Sequence, residues 1–531
     1  MKMKFKTVFI FATMLMMVLS ACSNNSGSNT ASNGDDSGGK TNEEDKYGGV
    51  LKIGALTTLQ NLGLASELRA VDDFFISEPA LEKLGRFDED GSMQPLLAEQ
   101  WEEDPENAKI TFKLRSGIKF HDGTDLNAEA VKWNIEEFME SGRSEFSDIE
   151  SVEMPDEYTV EVNLKEWNSS MLEAICNFLP ISSPTAYKEN GREWAMENPV
   201  GTGPFKFVSW TKNKSVKYEK FDDYWQEGKP YLDGIEFHLY ADSTTATASM
   251  QAREIDGFIQ GPSLLAKDLE EVPDITILTN ETGLGSQMKG FLFNSLDKDS
   301  PFHNPLVRQA ASLSVDRQAI VDTFIYGYGI VSNQWGAPGS KSYNEALDID
   351  YNPEKAKELL KEAGYPNGFE TTFTLRNDPG EVEIGTAIAG YLSEIGIKAE
   401  LNVIDSGLWQ KITHASGEQF KDLIFLTGRS DPDLAMYMPR NFSSKGVIYS
   451  HGLDIPKEID EMYPKLKAST DDKTKTELSH ELQQLVYEKY ALAVPVYVSA
   501  QPVPIYNYVH DSGINKAHGS EWTPEDTWLK K

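Results

Sequence analysis

The chain has 531 residues and a formal net charge of −34. That length predicts more than one lobe, because single hydrophobic cores stop growing at roughly 250–300 residues. So acidic a surface repels phosphate backbones and argues against a nucleic-acid partner. Apolar residues make up 39% and aromatics 11%, enough for a large globular core. There is no G-x-S-x-G elbow, no H-E-x-x-H, no Walker A loop and no Cys–His pair at metal spacing, so neither an enzyme nor a cofactor is expected. Of the two cysteines, Cys176 sits in Ala174-Ile175-Cys176-Asn177-Phe178 and reads as a small buried hydrophobe.

In chain order, residues 1–21 read as a secretion signal. Lys2, Lys4 and Lys6 precede an apolar run over 7–18 that is short for a membrane span. Leu19-Ser20-Ala21-Cys22 resembles the lipobox of bacterial lipoproteins, which implies a diacylglycerol on Cys22 and anchoring at the outer face of the cell membrane. Residues 22–46 are rich in Ser, Asn, Gly, Asp and Glu and predict a flexible tether. Folding is expected from Tyr47.

The most structured pattern lies at 96–139. Ile110, Phe112 and Leu114 alternate with polar residues, the period of a half-buried strand. His121-Asp122-Gly123 is a turn, Asn127 a helix N-cap, and Val131, Ile135 and Phe138 recur at helical spacing. A second strand is expected over 157–164. At 198–210, Gly201, Gly203 and Pro204 predict a tight bend into a strand, and no helix start follows to make a phosphate loop. Asn304-Pro305 and Asn352-Pro353 are helix starts, the first with Leu306, Ala310 and Leu313 as its buried face. Gly364 and Gly396 close helices, and a strand opens at Ile397.

The run AEQWEE…ITFKLRSGIKFHDGTDLNAEAVKWNIE closely resembles the signature of the extracytoplasmic solute-binding proteins of peptide, opine and nickel ABC importers, family 5. NPVGTGPFKFVSW at 198–210, the EPALEKL run at 78–84 (resembling the family's "EPL" helix), DDYWQEGKPYLD at 222–233 and the paired stretches VRQA and SVDR carry the same resemblance. It implies an α/β fold of two lobes, of the type II periplasmic-binding-protein kind, with an extra inserted subdomain. The expected layout is a first lobe over 47–285 with an insert at about 86–198, a second lobe over 286–490, and a return to the first lobe over 491–531. It further implies a monomer that captures a small solute, a peptide above all, by hinge closure and delivers it to an ABC permease and ATPase complex. Nickel-chelate or opine binding, and ligand sensing rather than transport, are the alternatives.

Site residues follow from the same resemblance. In peptide-binding relatives the strand matching 422–433 carries a Trp and then an Asp that pairs with the peptide ammonium. Here those positions hold Leu426 and Arg429, with Asp431 and Asp433 beyond. An Arg aimed into a closed cleft attracts a carboxylate and repels an ammonium. The competing reading has Arg429 paired with Asp431 or Asp433, shaping the loop. Trp409, Arg376, Trp335, Phe75 and Ser77 are further candidate ligand contacts. His121 and His451 read as structural.

Overall fold

The 96–139 stretch folds as its alternation dictates. Strand Lys109–Leu114 buries Ile110, Phe112 and Leu114, and pairs antiparallel with Ala98–Asp104 and Thr159–Leu164. Ile149–Asp156 completes a four-stranded sheet. Asn127 caps helix Ala128–Glu140, its side chain accepting from Ala130 N at 3.0 Å. That helix lays Val131, Ile135 and Phe138 into one core with the sheet. The structure, a computed structural model, describes residues 46–531 except 69, 379, 415–418, 431, 517 and 519–520. The expected signal segment, Cys22 and nearly all of the tether lie outside the described residues. Among the described residues, no helix is long and apolar enough to cross a membrane.

This sheet is the inserted subdomain of a two-lobed α/β fold. The first lobe is built on a seven-stranded sheet. Its strand Val50–Ala55 runs parallel to Gly234–Leu239 on one side and Gly257–Ile259 on the other. The second lobe has a six-stranded sheet, in which Ser286–Phe293 lies between Leu423–Ser430 and Ala493–Ser499. Phe369–Arg376 pairs parallel with Ile397–Ile404 and with Leu423–Ser430.

The chain passes between these sheets twice, at 279–285 and at 500–502. The passages touch, with Asn280 N donating to Ala500 O at 2.7 Å. The second passage comes later than position 491, because Ala493–Ser499 still pairs with Ser286–Phe293, and only Val503–Tyr506 enters the first sheet. Two smaller expectations also change. The "EPL" run is not a helix: the helix is Val71–Ser77, and Pro79 ends it by disfavouring helical backbone before itself. In helix Pro305–Leu313 the buried stripe is Val307, Ala310 and Ala311, with Leu306 and Leu313 at its margin.

The EPALEKL turn still has a structural reason. A Cβ at Gly201 would run into Ala80 O, and one at Gly203 into Pro79 O, so the GTG bend can press directly on the turn's backbone. Gly203 N donates to Ala80 O at 3.0 Å. His121 Nε2 lies 2.9 Å from Gly203 O, and burial lowers the imidazole pKa to about 4, so it is neutral. Glu82 lies beneath and accepts from Thr202 Oγ1 at 2.8 Å, Tyr224 OH at 2.7 Å and Trp225 Nε1 at 3.0 Å.

Burial raises the Glu82 carboxyl to about 7 from 4.5, against those hydrogen bonds. A raised carboxyl pKa means that the folded state binds the proton more tightly. This contribution to stability is full below pH 4.5 and is lost as pH rises through about 7. Urea midpoints taken between pH 5 and 8 should fall with pH, and Glu82→Gln should flatten that fall.

Candidate functional site

Strand Leu423–Ser430 carries Arg429 to the edge of the second lobe. The strand is apolar up to Leu426 because both its faces are buried there. Trp335 anchors its end: the indole, 1% exposed, packs against Gly428, and Nε1 donates to Arg429 O at 2.8 Å. Ser430 Oγ donates to Trp335 O at 2.9 Å. On the other side, Arg429 Nη2 lies 3.1 Å from His518 Nε2, and its guanidinium stands 5.8 Å from the Phe178 ring centre. His518 is fully buried and stacks on Phe87 of the first lobe at 4.4 Å. Arg429 therefore sits where the two lobes meet.

It lines a cavity of about 510 Å³ whose walls come from both lobes. Val71, Phe74, Phe178 and Tyr437 supply apolar surface. The charged groups are Arg143 and Glu145 from the insert, and Arg429 and Arg440 from the second lobe. Arg143 Nη1 donates to Leu68 O at 2.7 Å and Nη2 to Glu145 Oε1 at 2.9 Å. Arg440 Nη1 approaches the same Glu145 oxygen from across the cleft at 3.6 Å. Burial alone would raise the Glu145 pKa, but the Arg143 hydrogen bond and charge outweigh it, so the group is held ionised below its usual range. Glu145 and Arg440 also wall a second chamber of about 680 Å³, lined by Trp167, Met436, Pro439 and Tyr463.

The lobes touch around this space. Trp167 Nε1 donates to Ser469 O at 2.9 Å, and Ser169 N to Lys467 O at 2.8 Å. Lys467 Nζ pairs with Asp148 at 2.6 Å. Lys475 Nζ bonds both Asp433 at 2.6 Å and Ser169 O at 3.0 Å.

Of the sequence candidates, Arg429 alone lines the cavity among the described residues, and Asp431 lies outside them. Trp335 is a support behind the strand rather than a ligand contact. Arg376 is committed to Glu381 at 2.8 Å and Asp378 at 3.2 Å, and lies over the Trp409 ring at 4.8 Å. Trp409 is 8% exposed and packs edge-on to Tyr449 in the second lobe's core. Phe75 stacks on Trp522 at 5.0 Å, and Ser77 Oγ bonds Asp73 O at 2.6 Å, so both are interior to the first lobe. They fail as ligand contacts because their helix turns that face inward. Asp433 instead caps helix Leu434–Phe442 and holds Lys475. His451 Nε2 lies 2.9 Å from Ile412 O, and Cys176 is fully buried with its thiol pKa raised by burial.

A model of the bacterial extracellular solute-binding proteins, family 5, middle region, matches residues 92–448. The chain belongs to this family. Glutathione-binding protein GsiB of Shigella flexneri is 30% identical to this family 5 protein over 419 residues, covering 76% of the chain and 80% of the relative. The periplasmic binding protein DppA from Helicobacter pylori, in complex with the peptide STSA, superposes with a TM-score of 0.75. That match covers 92% of this chain and 99% of DppA, at 23% identity. AgaA from A. tumefaciens R10, in complex with agropinic acid, has a TM-score of 0.72 over 91% of this chain and 99% of its own, at 27% identity.

Sequence reasoning missed Arg143, Glu145, Arg440 and His518 of this solute-binding protein. None lies in a motif, and they come together from three separate segments. Only the strand–turn–helix reading of 423–442, which puts Arg440 on the element after Arg429, could have hinted at one of them. Trp335→Ala should cost about 3–5 kcal/mol, as for other buried aromatic truncations. It should also displace Arg429, giving a lower urea midpoint together with weakened ligand binding.

Proposed function

We propose that this family 5 protein captures a small peptide between its lobes and delivers it to the permease and ATPase complex of an ABC importer. A lipid on Cys22 holds it as a monomer at the outer face of the cell membrane, with the residues after it as a tether. The observation that carries this reading is the cavity built from both lobes. A ligand there completes its contacts only when the lobes meet, so closure is driven by its higher affinity for the closed state. The permease then reads the closed shape.

The Arg429 cavity and its neighbour, about 510 and 680 Å³, suit a small peptide. The relative named for glutathione and the neighbour holding the peptide STSA support that class. A second reading, an opine-like acid, is favoured by the guanidinium groups and by the agropinic acid in AgaA. In both readings Arg429 holds a carboxylate. Native mass spectrometry of the purified protein should show a co-purified adduct of peptide mass; a small non-peptide acid would favour the opine reading. Arg429→Ala should weaken ligand binding by roughly 1.5–3 kcal/mol, as for a charged hydrogen bond. Unchanged affinity in calorimetry, with a properly folded variant, would sink that role.

A further inference from the structure

The charges in the Arg429 cavity are not equivalent. Arg143 is spent on Leu68 O and on Glu145 Oε1. Arg440 is not. Its Nε is buried with no hydrogen-bond partner among the described residues, and its 3.6 Å approach to Glu145 is too long for a hydrogen bond. The side chain remains 31% exposed beside the cavity, where a ligand can reach its terminal nitrogens. Glu145 is the cavity's sole carboxylate among the described residues. Both arginines that reach it address the same oxygen, Oε1.

The carboxylate and the second-lobe cations also come from different sides. Arg429 and Arg440 belong to the second lobe, and Glu145 to the insert of the first. We propose that the cavity reads a small acidic peptide with one ammonium and two carboxylates, Glu145 taking the ammonium and Arg429 and Arg440 the carboxylates. This rests on the peptide reading above and adds the ligand's charge class and its direction across the cleft. Glu145 is then a specificity residue. It rewards a ligand that carries an ammonium.

The test is calorimetry on the purified protein with three probes: glutamyl-glycine, its N-acetylated form, and glutaminyl-glycine. Glutamyl-glycine should bind more tightly than either of the others, by roughly ten- to a hundred-fold, the range expected for a charged hydrogen bond. Arg440→Gln should abolish the preference for glutamyl- over glutaminyl-glycine. Glu145→Gln should abolish the preference for the free over the acetylated ammonium. Ratios between ligands are used because a merely structural change would weaken all three alike. If the dipeptides bind but these ratios survive the substitutions, the charge assignment is overturned and the peptide reading stands. If none of the three binds the wild-type protein, the peptide reading falls and the charge assignment falls with it.

Discussion

The architecture depends on two neighbouring passages of chain between the lobes, joined where Asn280 N meets Ala500 O. Ile275–Leu278 and Val503–Tyr506 are adjacent in the first sheet, and Ser286–Phe293 and Ala493–Ser499 are adjacent in the second. The same two segments therefore set register in both sheets. This short double connection ties the two lobes together at adjacent strands of both sheets. Gly283 and Gly285, with φ of 73° and 68°, make the first passage possible, and a Cβ at Gly285 would run into the His518 ring. His518 thus stands between the first passage and Arg429, a residue that lines the cavity.

His518 extends that link to the C-terminal segment. Behind it, Lys83 Nζ pairs with Glu521 at 2.7 Å with both side chains 5% exposed, and Arg86 pairs with Glu525 at 2.6 Å. Glu521 Oε2 also accepts from Phe87 N, and Trp522 stacks on Phe75. Breaking a buried pair of this kind costs about 3–5 kcal/mol, far more than an exposed one. The last part of the chain is therefore held rigidly against the turn after helix Val71–Ser77. From there it presents an imidazole to Arg429, a residue of the other lobe. Trp335 fixes Arg429 from behind and His518 meets it in front.

The legible part of the chain was its local grammar. Alternation over 109–114 and 159–164 marked real strands, and Asn127, Asn304 and Asn352 capped the helices they announced. Capping and alternation are short-range effects that the sequence writes directly. The EPALEKL run resembles a family helix, yet it forms a turn packed against the GTG bend. The family resemblance implies a cleft position for Arg376 and Trp409, yet here they satisfy one another and Glu381 inside the second lobe. Polar and aromatic residue types do not reveal which partners are already near.

By itself the sequence determined the family, the two-lobed fold, the strand-and-helix order and the arrival of an arginine at the end of strand Leu423–Ser430. Each follows from a pattern contained within a few tens of residues. Only the tertiary structure decided what that arginine faces. Glu145, Arg440 and His518 come from an insert helix end, a second-lobe helix and the C-terminal segment. The cavity's charge balance is a sum over segments hundreds of residues apart. No local pattern constrains such a sum, and it exists only once two sheets and an inserted subdomain have closed around it.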